Sequence, residues 1–204
     1  MARNLGIIGA SAKGSGARAG VREVGVEPAT DPTETTGPTT GEAGVIEWRV
    51  EPHGWTDQLT GTDGPRLWDR ILSSETARVK RYHGPATIVL AELAGIDDFS
   101  AVWGADAASR LFIQLARTLA VEVRSSDHIA RLGAARFGIL LIETDEIAAI
   151  NFVERARAAC DRQIRTPDLV SVAFGWAGPT ATSDLRAAVD HAAERLDKEI
   201  AEPG

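Results

Sequence analysis

The chain has 204 residues, 44% hydrophobic and 25% charged, with a formal net charge of −7. That is the composition of one ordinary globular domain, and it excludes a general binder of nucleic acid or anionic membrane. A small anionic ligand is not excluded, because it needs only a local cluster of arginines. Arginine supplies all of the basic residues except Lys13, Lys80 and Lys198. Cys160 is the single cysteine, so no internal disulfide is expected. No apolar run approaches the roughly 20 residues of a membrane span, and the first residues lack a signal peptide's long apolar region. The expected location is cytoplasmic, with no membrane partner.

Residues 1–44 are rich in Gly, Thr, Pro, Ala and Glu and carry no sustained apolar period. Such a segment buries too little apolar surface to offset chain entropy, so it reads as a disordered tail. The glycines of Gly9–Gly16 do not have Walker spacing and lack a flanking strand and helix, so a phosphate loop is rejected.

Residues 45–204 read as the globular part. A helix is predicted from Arg66 to Tyr82, with Leu67, Ile71 and Leu72 on one side. Ala86–Ala91 is an apolar run suited to a buried strand. The helical stretch that follows places Ala108, Leu111, Phe112, Leu115 and Leu119 on one face. His128–Leu132 and Phe137–Ile142 are strand-like runs joined by a short Gly-containing link, which predicts a hairpin. Asp145–Ile164 is predicted as a helix that buries Ile150, Val153, Cys160 and Ile164. Leu169–Phe174 is a strand, and Ser183 is the expected N-cap of the last helix, with Arg186 at its third position. The order is helix, strand, helix, helix, strand, strand, helix, strand, helix. The fold class is α/β (α+β), a helix-covered central sheet that contains an antiparallel hairpin.

Four segments between Asp57 and Ile200 carry a family resemblance. Asp57-Gln-Leu-Thr-Gly61 followed by Arg66-Leu-Trp68 is similar to a D-x-L-T-G-L-x-N-R-x-x-F lead-in. The run from Ile88-Val-Leu-Ala-Glu92 to Trp103-Gly104 is similar to a strand bearing D-x-D-x-F-K-x-I-N-D-x-x-G-H. Arg131-Leu-Gly133-Ala-Ala-Arg-Phe137 stands where R-x-G-G-D/E-E-F is expected, and Val170–Gly175 is similar to V-T-x-S-I-G. Together they resemble the GGDEF (diguanylate cyclase-like) domain, in a degenerate form. The resemblance implies a palm-like central sheet with the signature motif in the turn of the hairpin.

An active member of that family joins two GTP molecules, held by two domains, using divalent metals on carboxylate oxygens. The resemblance puts Glu92 at the first metal-binding Asp and Ala94 at the second Asp of that strand. A register using Asp97-Asp98-Phe99 leaves too few residues before Gly104. In the turn, Gly133 keeps the first Gly, Ala134 replaces the second, and Ala135 and Arg136 replace both acids. Phe137 remains, and its plain reading is core packing. The guanine-reading positions correspond to Ser100 and Ser109, and the basic residue of the last helix to Asp197. No catalytic residue, metal site or cofactor is therefore expected, and no cyclase activity.

Arg124-Ser-Ser-Asp127 resembles the R-x-x-D inhibitory site that binds cyclic di-GMP, with five residues between Asp127 and Gly133. An arginine forks onto phosphate or a guanine edge, and a carboxylate accepts from guanine N–H groups. Arg155 sits where the family has a further contributing arginine, on the face of its helix opposite Ile150, Val153 and Ile164. The plain alternative is a surface Arg–Asp pair left over from an ancestral site. Trp68 and Trp103 are expected in the core, Trp48, Trp55 and Trp176 are left unplaced, His128 is expected to cap a strand, and Cys160 is expected to be an inert small hydrophobe.

Three functions follow. The first is a cyclic di-GMP receptor acting through Arg124, Asp127 and Arg155. The second is a nucleotide-independent scaffold for a protein partner or a homodimer. The third is an enzyme with residual cyclase chemistry. The retained R-x-x-D favours the first over the second, and the lost turn acids count against the third.

Overall fold

A computed structural model describes residues 48–164, 169–180 and 184–202. The predicted tail, the Gly9–Gly16 segment and Ser183 lie outside the described residues. The element order is α1 (Pro65–Tyr82), β1 (Ala86–Ala94), α2 (Ile96–Trp103), α3 (Ala105–Glu122), β2 (His128–Arg131), β3 (Arg136–Ile142), α4 (Glu146–Gln163), β4 (Ser171–Ala177) and α5 (Leu185–Ala201). This is the predicted order, and the α+β class holds.

Local chemistry sets the helix ends. Pro65 occupies the first turn of α1, where its missing N–H costs nothing, and Lys80 and Arg81 face the negative end of the helix dipole. Asp145 caps α4 by accepting from the Ala148 N–H at 2.7 Å. The cap of α5 is Asp184 rather than the predicted Ser183. Its Oδ1 accepts from the Arg186 and Ala187 N–H groups at 2.9 and 3.0 Å.

The sheet has the order β2-β3-β1-β4, and every pairing is antiparallel. Because successive strand side chains point to opposite faces, β1 feeds two cores. Val89, Ala91 and Leu93 pack with Phe137, Ile139 and Phe174 against α2, α3 and α4. Ile88 and Leu90 pack with Leu140 and Ala173 against α1 and α5. Gly175 lets α5 lie directly on β4, since a Cβ there would run into the Ala192 carbonyl oxygen and the Leu196 backbone.

Two burial expectations are corrected, and one packed stripe is narrower than its apolar residues. Trp103 is 47% exposed and stacks on Phe99 at the rim of α2, with ring centroids 4.9 Å apart. Ile150 is 40% exposed, because α4 turns Ala149, Phe152, Val153, Ala156 and Cys160 to the sheet instead. In α1 the buried residues are Trp68, Leu72 and Glu75, so Leu67 and Ile71 lie only at the edge of the packed stripe. No helix among the described residues is long and apolar enough to cross a membrane.

Candidate functional site

The hairpin of β2 and β3 holds one candidate corner. Arg131 pairs with Phe137 across it, and the Leu132 N–H donates to the Arg136 carbonyl at 2.9 Å to close the turn. The side chain of Arg131 points inward and is only 1% exposed. It donates to Asp57 Oδ1 at 3.1 Å, to the carbonyls of Gly133, Val50 and Ala134 at 3.2, 2.9 and 3.2 Å, and to that of Trp48. Its plane lies 4.9 Å above the Phe112 ring, which stacks in turn on Phe137. The second oxygen of Asp57 accepts from the Thr60 N–H and hydroxyl at 2.8 and 2.6 Å. One buried ion pair therefore fastens the Asp57–Gly61 loop to the turn between β2 and β3. Five acceptors satisfy the guanidinium, which is what a charge at this depth requires.

Glu92 lies directly across from Arg136 in the β1–β3 register. Arg136 Nε donates to Glu92 Oε2 at 2.6 Å, and Arg136 Nη2 reaches Asp197 Oδ1 on α5 at 3.3 Å. One arginine thus bridges the last carboxylate of the strand to a carboxylate of the last helix.

A strap formed by Trp48, Arg49 and Val50 crosses the same end of the sheet. The Trp48 N–H donates to Ser109 Oγ at 3.1 Å, and Arg49 Nη1 donates to Ser100 Oγ at 3.3 Å. Arg49 Nη2 also pairs with Asp97 at 3.0 Å, and its guanidinium lies 4.7 Å from the Trp48 ring centroid. The indole is 2% exposed, and its Nε1–H meets no acceptor among the described residues. Sequence reasoning missed both Arg131 and this strap. Arg131 carried a usable signal, an arginine at an inward β2 position paired with a core Phe, which requires a buried acid. Trp48 carried none.

The second corner lies at the other end of β3, about 20 Å of strand away. The Asp127 carboxylate closes the turn between α3 and β2, where Oδ2 accepts from the Arg124 N–H at 3.1 Å and Oδ1 from the Ile142 N–H at 3.1 Å. The Arg124 side chain is exposed and makes no ion pair with the described residues. Arg155 is 52% exposed, as expected, and its Nε lies 3.4 Å from Glu122 Oε2 at the end of α3. The structure thus brings Arg155 to the helix end that leads into Arg124 and Asp127. A cleft of about 380 Å³ adjoins Asp127 and is walled by Thr60, Thr62, Arg117, Ser125 and His128. His128 opens β2 as expected, with Nδ1 3.6 Å from Asp63.

A larger hollow of about 900 Å³ lies between the end of α1 and the starts of α4 and α5, with Lys80, His83, Asp145, Glu146 and Asp184 among its walls. Burial pushes the Glu146 carboxyl up, but the Gly178 N–H and Arg195 outweigh it and hold the group below its usual range. Burial pushes the Cys160 thiol up to about 12, which fits the inert role expected of it.

The family described as "Diguanylate cyclase, GGDEF domain" matches residues 54–201. The chain belongs to the GGDEF family. It is 25% identical over 124 residues to the probable diguanylate cyclase DgcC of Escherichia coli K12, which covers 61% of this chain and 33% of that protein. It is 24% identical over 106 residues to the diguanylate cyclase DosC of the same strain, covering 52% and 23%. The chain thus spans a third or less of these curated relatives. Among solved structures, it shares the fold of the GGDEF domain of DgcB from Caulobacter crescentus, in complex with c-di-GMP. The TM-score is 0.69 at 14% identity, over 76% of this chain and 94% of that one. The FimX GGDEF domain of Pseudomonas aeruginosa matches with TM-score 0.68 at 17% identity, over 74% and 97%. The diguanylate cyclase SiaD of the same organism, in complex with its activator SiaC, matches with TM-score 0.67 at 23% identity, over 72% and 58%.

The turn between β2 and β3, where the resemblance puts the signature motif, offers a divalent metal no side-chain carboxylate. Hard cations take several oxygen ligands. Ala134 and Ala135 offer no side-chain oxygen, and Glu92 is already held by a guanidinium at 2.6 Å. No group of three or more His, Cys, Asp or Glu able to hold a metal occurs among the described residues.

Proposed function

We propose that this GGDEF domain makes no cyclic di-GMP and instead receives it, at Arg124, Asp127 and Arg155. The observation that carries the first half is the Glu92–Arg136–Asp197 bridge. Phosphoryl transfer of this kind depends on cations at the carboxylates to neutralise phosphate charge and activate the nucleophile. Here a fixed arginine neutralises the one carboxylate of the strand, and Asp197 puts negative charge where the resemblance expects a basic residue. Glu92 would have to release Arg136 before binding a metal, and that single carboxylate would still be a poor site.

The receptor half is supported by the grouping of Arg155, Glu122, Arg124 and Asp127 at one exposed corner. Two guanidinium groups can fork onto phosphate or onto a guanine edge. The Asp127 carboxylate spends two acceptor sites on backbone N–H groups and a third on the Ser126 hydroxyl at 3.4 Å, and about four such sites exist on an ionised carboxylate. It therefore keeps capacity for a guanine N–H donor. Three charge-assisted contacts at roughly 1.5–3 kcal/mol each, less ordering costs, are compatible with micromolar binding, about −8 kcal/mol. The DgcB GGDEF domain, solved with c-di-GMP, lends the reading a precedent in the same fold.

One observation favours a second reading. Asp127 already has a structural task, closing the turn and holding the end of β3. It would be kept even if the ligand were never bound, and the domain would then serve as a nucleotide-independent scaffold for a protein partner or a second copy. Titration of the purified chain with cyclic di-GMP by calorimetry separates the two. Saturable heat that Arg124→Ala removes is expected. No heat and no amide shift at millimolar ligand would leave the scaffold reading.

A further inference from the structure

We propose that Trp48–Val50 form an internal plug in a slot built for a purine base, closing that slot to guanine nucleotides. The proposal rests on the silent-cyclase half of the functional reading and is independent of the receptor half.

The strap is fastened on three sides. Its Trp48 N–H is held by Ser109 of α3, Arg49 is held by Ser100 and Asp97 of α2, and Arg131 of β2 grips the Trp48 and Val50 carbonyls. Through the same guanidinium the strap is joined to the signature turn, because Arg131 also donates to Gly133 and Ala134. The indole fills the space so completely that only 2% of Trp48 remains exposed.

Three features point to a base as the natural occupant. An indole is a flat bicycle of nearly the size and thickness of a purine. The hydroxyls that hold the strap, Ser109 on the Trp48 backbone and Ser100 on Arg49, can each donate and accept, as the polar edge of a base requires. Those hydroxyls stand at the two positions that the family resemblance assigns to guanine reading, and both are engaged by the strap. The indole is also a guest matched by shape alone. Buried tryptophans ordinarily find a partner for their N–H, and Trp48 Nε1 finds none among the described residues. Two flat bicycles cannot share one slot, so the plug keeps GTP out even before the metal chemistry is considered.

The full chain labelled with 5-fluorotryptophan tests this. Trp48→Phe identifies the Trp48 fluorine resonance. In the wild type, millimolar GTP without metal is expected to leave that resonance unmoved, and a saturable shift would overturn the plug. Trp48→Gly is expected to bind guanosine at least about tenfold more tightly than the wild type, with free indole competing. A folded Trp48→Gly that binds indole but not guanosine, or binds neither, would mark an ordinary core cavity and overturn the proposal. If Trp48→Gly does not fold, Arg49→Ala decides. It removes the tie to α2 and the guanidinium over the indole, and added guanosine should then shift the Trp48 resonance from its ligand-free position in that variant, as it does not in the wild type. Absence of that shift overturns the proposal. Product analysis on the same samples keeps the two readings apart. Cyclic di-GMP formed by the wild type would sink the silent-cyclase reading, whereas GTP bound at Trp48 without product would sink the plug alone.

Discussion

Replacing Arg131 by Met is the sharpest test of how the turn between β2 and β3 is held. Met keeps most of the volume over Phe112 but removes the charge and all five donated hydrogen bonds. The pair it breaks has side-chain exposures of 1% and 5%, so water screens neither partner. Removing one member of a buried pair strands the other charge, at about 3–5 kcal/mol. The freed carbonyls lie in the same network, so their cost does not simply add. We expect a loss of about 3–5 kcal/mol, which is a large share of the 5–15 kcal/mol typical of a domain, and a fall in Tm of roughly 10–15 °C. Asp57→Asn should be destabilising too, because it leaves a buried guanidinium without its counter-ion. The double variant Asp57→Asn/Arg131→Met buries no unpaired charge and should lose less than the sum of the two single variants, with a coupling of about 1–3 kcal/mol. Urea denaturation followed by circular dichroism measures all four proteins, with the m-value checking that unfolding remains two-state. A loss below about 1 kcal/mol for Arg131→Met, or additivity within about 0.5 kcal/mol, would refute the claim that this pair anchors the turn.

With GTP and Mg²⁺ or Mn²⁺, chromatography should find no cyclic di-GMP above the buffer control, and turnover that vanishes in a Glu92→Ala variant would contradict the assignment. Arg124→Ala should weaken cyclic di-GMP binding at least about tenfold without lowering Tm, since its side chain is exposed and makes no ion pair among the described residues. The Glu146 carboxyl is held below its ordinary 4.5, so the stability it contributes is present above that pH and disappears as pH falls through the lowered folded value. Glu146→Gln should therefore cost stability at pH 7 and converge on the wild type in strong acid, as read from melts across pH. Because burial pushes the Cys160 thiol up to about 12, a thiol reagent at pH 8 should leave the native protein unmodified and label it once urea unfolds it.

What the sequence determined by itself was local and periodic. The order of the elements, the hairpin, and the burial of Leu115, Phe137, Val153 and Cys160 were legible because helix and strand periods are written in neighbouring residues. The motif spacing was legible too, and through the resemblance it puts Arg136 in the place of one of the two turn acids. The packing environment decided what that pattern left open. Trp103 and Ile150 have the apolar character of core residues, yet they sit where the helix faces α2 and α4 present to the sheet have already turned away. Asp184 took the cap of α5 because its carboxylate reaches two N–H groups of the first turn. The functional contacts were the least legible. The bond from Arg136 to Glu92 spans 44 positions, that from Trp48 to Ser109 spans 61, and that from Arg131 to Asp57 spans 74. Each depends on strand register and on how helices seat against the sheet. Only the folded chain brings those side chains within hydrogen-bond reach, because contacts so distant in sequence are set by tertiary packing and leave no period along the chain.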